Sequence, residues 1–273
     1  MKIPKAFLPK KNLEKNIATL LAKKEPMPNP IKGNNPVGLE NIYCKDEYGN
    51  MMEHYDKIFI KTELATTNKN RSLSCFTLPG AVSFFERQKG DVFLPSCALT
   101  CNILAKLYEL RHYEEMENLL LQYKTHGLND GWHIQNTIVD WKRERIIHYP
   151  GYTDIPKKIK KRDMNFKRSG IILDFTLGNF EDGPLNFLLK DSGIRGFIEG
   201  LTGLEDPEVL IDIGDYFRKP TRVWFPNDPI KGKKPSIVWI GCRHDNFDIY
   251  LCGDVGYSGP ARGVYINNVK KKK

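Results

Sequence analysis

The chain lacks most of the features that announce a function. Its longest unbroken apolar runs are four residues, whereas a membrane-spanning helix needs about 18 or more, so no membrane association is expected. The start, Met1-Lys2-Ile3-Pro4-Lys5, has no apolar stretch long enough for a secretory signal, because Ile17–Ala22 is closed at once by Lys23-Lys24. A cytoplasmic protein is expected. Six cysteines occur without a single Cys-x-x-Cys pair, which argues for reduced thiols and against a structural zinc site. The phosphate-binding loop, the dinucleotide fingerprint, the His-Glu-x-x-His helix and the Gly-x-Ser-x-Gly elbow are all missing. No cofactor and no metal are expected. The carboxylates form no convincing acid–base pair: Glu114, Glu115 and Glu117 read as a solvated helix start, and Glu205, Asp206 and Glu208 as first-turn capping.

What the chain does have is an uneven charge. The net charge over 273 residues is +9. Segments 1–24, 157–168 and 270–273 carry +6, +6 and +4, which leaves −7 for everything else. The central run holds Lys157, Lys158, Lys160, Lys161, Arg162, Lys167 and Arg168 against one acid, with Phe166 placed where it could stack on a base. Lysine segments of this kind attract polyanions by counterion release and need no shaped pocket. The partner they imply is RNA, DNA or an acidic protein, bound without sequence preference. The same lysines would also serve plain solubility.

The hydrophobic 40% and aromatic 11% are enough for a packed core. Leu13, Ile17, Leu20 and Leu21 have helical spacing, and Pro26 to Pro36 reads as a linker. A strand is expected over 55–62. Ser96, after Pro95, is a helix N-cap for a long helical region to residue 125, broken near Arg111-His112 into an αα-hairpin. Residues 137–141 and 145–149 form a β-hairpin. In the C-terminal half, Pro207 at a first helical position opens a helix with Val209, Leu210, Ile213 and Phe217 on its apolar face. Runs at 221–225, 236–242, 247–252 and 263–266 then read as an antiparallel β-meander. The fold class is therefore α+β. The expected division is a basic arm and linker (1–36), an α+β half (37–156), a basic linker (157–168), a helix-plus-meander half (169–269) and a lysine tail (270–273), or one continuous domain.

One catalytic arrangement, that of a thiol-dependent hydrolase or acyltransferase, stands beside the binding reading. Cys97 lies at a helix start, where unpaired N–H groups and the helix dipole favour a thiolate. His133 follows 36 residues later at the opening of a strand run, and Asp140 and His148 lie on the same hairpin. A thiol, an imidazole to take its proton, and a third group to hold the imidazole are what nucleophilic thiol chemistry requires. The order resembles that of papain-like and transglutaminase-like thiol hydrolases, over about a fifth of the chain. It departs from them where His148-Tyr149-Pro150 stands in place of an Asp or Asn, and in lacking a glycine after the thiol. Cys101, one turn further on, is a rival nucleophile. The alternative is that Cys97 and Cys101 are core residues and both histidines are structural.

Overall fold

The computed structural model describes residues 36–65, 76–88, 92–125, 133–150, 170–178, 180–226, 235–243, 245–254 and 259–266. The arm 1–35, the run 157–168 and the tail 270–273 lie outside the described residues, as do Lys157, Lys158, Lys160, Lys161, Arg162, Lys167 and Arg168. All described residues belong to one compact unit, Ile31–Lys273. The fold is α+β, with six helices and eleven strands in two sheets among those residues. None of the helices described is long and apolar enough to cross a membrane.

The first sheet has the order β1-β2-β11-β3, with β1 Val37–Lys45, β2 Met51–Leu64, β3 Val92–Phe93 and β11 Arg262–Tyr265. β1 and β2 pair antiparallel, yet their inward positions change parity together. Val37 and Leu39 face inward, then Ile42 and Cys44; opposite them Ile60 and Ile58 face inward, then Tyr55 and Glu53. Asn41 takes up the change with φ 55, a left-handed conformation that Asn tolerates better than most side chains. Further along, β2 uses four steps from Ile60 to Leu64 where β11 uses two, from Val264 to Arg262. The carbonyls freed by this bulge, Lys61 and Thr62, accept from Arg262 Nη1 at 2.8 and 3.0 Å, and Arg262 Nη2 donates to Gln122 Oε1 at 3.0 Å. Arg262 is fully buried, so it is an internal plug for an interrupted ladder.

The second sheet has the order β6-β5-β4-β9-β10-β8-β7. Its strands are β4 His133–Asp140, β5 Arg145–His148, β6 Ile171–Asp174, β7 Gly183–Pro184, β8 Thr221–Trp224, β9 Ser236–Arg243 and β10 Asn246–Asp254. Strands from both sides of the 157–168 run pair within it, β5 with β6 and β4 with β9. The expected C-terminal meander needs one correction. β9 and β10 do form an antiparallel hairpin, but β8 lies parallel to β10 on its far side, and β11 has joined the other sheet. The physical reason is burial. β9 is buried along nearly its whole length and takes a central place, whereas β8 alternates buried and half-buried and sits near the edge.

The helices follow their caps. α1 (Leu78–Glu86) starts at Thr77, α2 (Cys97–Glu109) at Ser96 and α5 (Ser192–Thr202) at Asp191, whose carboxylate accepts from the Gly193 and Ile194 N–H groups. α3 (Glu114–Thr125) completes the αα-hairpin, α4 is Leu185–Leu188, and α6 (Val209–Phe217) presents Leu210, Ile213 and Phe217 to the core as read from the sequence, with Val209 only half-buried and Pro207 two residues ahead of the helix instead of at its first position. Two apolar cores form on the two faces of the large sheet. The larger packs α2, α3, α5, α6 and the inner face of the small sheet against Val139, Ile146 and Ile240. The smaller packs α1 against Ile138, Ile147 and Trp239.

Candidate functional site

The segment that carries the candidate thiol is positioned by a bulge. β4 uses four steps from Ile134 to Ile138 where β9 uses two, from Trp239 to Ile237. Gln135, Asn136 and Thr137 occupy the gap, and with the ladder interrupted their hydrogen bonds go to the start of α2 instead. Asn136 N–H donates to the Pro95 carbonyl at 2.8 Å, Cys97 N–H to Thr137 Oγ1 at 2.8 Å, and Thr100 Oγ1 to Gln135 Oε1 at 2.5 Å. Ser96 completes the joint. Its hydroxyl accepts from Leu99 N–H at 3.0 Å and donates to Glu53 Oε1 at 2.5 Å, and Tyr55 donates to the other Glu53 oxygen at 2.7 Å. Glu53 is buried, and that burial holds its carboxyl above the ordinary range while the two hydroxyl donors pull it down.

Each residue of the catalytic arrangement can be located. His148 is linked to the start of α2 through Thr137. Its Nε2 lies 2.9 Å from the Gly200 carbonyl and its Nδ1 2.9 Å from Thr137 Oγ1. A carbonyl only accepts, so Nε2 carries the proton, Nδ1 accepts from the Thr137 hydroxyl, and that hydroxyl accepts from Cys97 N–H. The chain of bonds runs from the helix start through Thr137 and His148 to α5 and commits both ring nitrogens. Burial lowers the His148 pKa to about 4, offset in part by the bond to Gly200, so the ring is neutral at pH 7.

Cys97 is completely buried, and burial, then the neighbouring Cys101 and Cys44 thiols, push its thiol well above its usual value. The dipole of α2 is present, but desolvation opposes the thiolate it would favour. His133 lies at the other end of the bulge, four residues before Thr137, with its ring 4.7 Å from that of Tyr123 on α3. Asp140 is turned to the hairpin tip, where Arg143 Nη1 meets Oδ2 at 2.8 Å and Arg143 N–H meets Oδ1 at 3.2 Å. The structure thus joins Cys97 to His148 through Thr137 and places His133 and Asp140 in separate surroundings. The chain matches no protein-family model, no curated protein and no solved structure.

The rest of the hairpin is equally occupied. Trp141 is buried among Phe175, Phe180, Phe197 and Phe225 and donates from Nε1 to Ser236 Oγ at 2.9 Å; Arg145 pairs with Asp174 at 2.7 Å. Among the described residues no group of three or more His, Cys, Asp or Glu side chains could hold a metal ion. Glu53, Gln135 and Thr137 were not singled out from the sequence. Only their partners across the fold give them meaning, and those partners lie 43, 35 and 40 residues away along the chain.

Proposed function

We propose that this protein binds nucleic acid without sequence preference through its basic segments. One observation carries the reading: 157–168 and the two ends hold +16 while the remainder of the chain is anionic at −7. An anionic globule repels a phosphate backbone, so attraction falls to the lysine segments, where each phosphate neutralised releases counterions. Lys157, Lys158, Lys160, Lys161, Arg162, Lys167 and Arg168 are the residues assigned to it, with Phe166 as a stacking side chain. The thiol arrangement offers no comparable support, because burial disfavours ionised Cys97 and both nitrogens of His148 are engaged.

The test is fluorescence anisotropy with a mixed-sequence RNA and a DNA duplex over a range of salt. The logarithm of the binding constant should fall linearly with the logarithm of salt, by about 0.9 per phosphate contacted on duplex DNA. Deleting 1–24 and 270–273 and replacing the seven bases of 157–168 by Gln should abolish most of the affinity. Affinity that is unchanged by those removals sinks the proposal. Competition by polyglutamate as effective as that by RNA reassigns the partner to an acidic protein.

A further inference from the structure

A cleft of about 880 Å³ opens between β1, the outer face of α2 and the connection from α5 to α6. That size falls in the range of small-ligand sites, roughly 300–1,000 Å³. Its walls are tied together. The Asn102 side-chain amide donates to the carbonyls of Thr202 and Gly203 at 3.3 and 3.0 Å, and Lys45 on β1 reaches Glu205 on the opposite wall at 2.5 Å. A second ion pair, Lys106 to Glu109 at 2.8 Å, lies along α2.

Arg111 is the remaining cation of the cleft, and it differs from the two lysines. Its guanidinium carbon lies over the Tyr108 ring, 3.8 Å from the centroid, with the Tyr216 ring at 5.9 Å, and Nη1 donates to the Tyr108 carbonyl at 2.5 Å. No carboxylate stands within ion-pair distance of it among the described residues. A guanidinium fixed by stacking, with donors to spare, is pre-set to take an oxyanion through two parallel bonds. On the β1 side of the same cleft, Tyr43 and Met51 remain 42% and 52% exposed. They supply apolar surface that the core does not use.

We propose that this cleft binds a small organic anion, its carboxylate, sulfonate or phosphate held by Arg111 and its apolar body laid against Tyr43 and Met51. The site is independent of the basic segments.

The probes are 8-anilinonaphthalene-1-sulfonate and its neutral counterpart N-phenyl-1-naphthylamine, titrated by fluorescence into the full chain. The sulfonate should bind saturably at one site. Arg111→Gln should weaken it about tenfold or more, the loss of a hydrogen-bonded charge contact, and leave the neutral amine within twofold, with near-UV circular dichroism unchanged. Tyr43→Ser with Met51→Gln, both at exposed positions, should weaken the two probes alike. Replacing Lys157, Lys158, Lys160 and Lys161 by Gln should change neither. The proposal is overturned if Arg111→Gln leaves sulfonate affinity within twofold. It is also overturned if that variant weakens both probes equally, if the Tyr43/Met51 pair leaves both unmoved, or if the lysine replacement removes sulfonate binding.

Discussion

His148 shows how one buried ring can set a pH dependence. Its pKa in the folded protein is about 4, against about 6.5 in the unfolded chain. Above 6.5 neither state binds the proton and the ring costs nothing. As pH falls from 6.5 towards 4 the unfolded state takes up a proton that the folded state refuses, so stability is lost across that window. The full loss is on the order of 3 kcal/mol. Urea unfolding of the protein and of His148→Gln between pH 7 and 4 should show a shallower decline in the variant; parallel curves would mean the ring is not held neutral. Cys97, shielded by the same packing, should react with iodoacetamide at least a hundredfold more slowly in native buffer than in urea, an order-of-magnitude expectation from its desolvation. Rapid native labelling at Cys97 would restore the thiol reading. The sequence marks Cys97 and His148 as residues of interest, but the hydroxyl between them is one ordinary Thr in a strand run, and nothing local distinguishes Thr137 from a surface threonine.

Two elements depend on single polar side chains. Ser96 caps α2 and also satisfies the buried Glu53 carboxylate. Ser96→Ala should therefore cost more than an ordinary cap, about 2–3 kcal/mol by denaturant unfolding. Arg262 fills the acceptor gap of the β2 bulge, and Arg262→Leu should cost about 2–4 kcal/mol by stranding the Lys61 and Thr62 carbonyls. A cost near zero in either case would show that water reaches these groups. The helices of this chain were readable because caps and 3.6-residue spacing are local: Ser96 and the α6 face stand where the pattern puts them, whereas Pro207 falls two residues before the first residue of α6, in the turn that leads into it. Strands were readable where β-branched and aromatic residues cluster, as in 55–62 and 236–242. β1 escaped because its inward residues switch parity at Asn41. In β4 the opening at His133 and the run from Thr137 were legible, but Gln135 and Asn136 between them look like solvent-facing residues until Thr100, Pro95 and Tyr149 are found beside them.

At the scale of the whole molecule, the parallel placement of β8 beside β10 was beyond a reading of neighbouring runs, since strand order is decided by which strands can be buried on both faces. The charge segregation, by contrast, is pure arithmetic on the sequence, and it remains the basis of the binding proposal. The large sheet leads to a further expectation. A chain cut at an engineered protease site within 151–169 should elute as one species in native buffer and separate into two fragments in urea, because β4 pairs with β9 and β5 with β6 across the cut. Two fragments already separate in native buffer would argue for independent halves. The place of β9 also bears on synthesis. On the ribosome β4 emerges well before its neighbour, and until Ser236 to Arg243 arrive the hairpin of β4 and β5 has an open edge at what will become the middle of the sheet. The newborn chain must keep that edge from other polypeptides while it waits, which makes its yield sensitive to crowding and to chaperones more than its final stability would suggest.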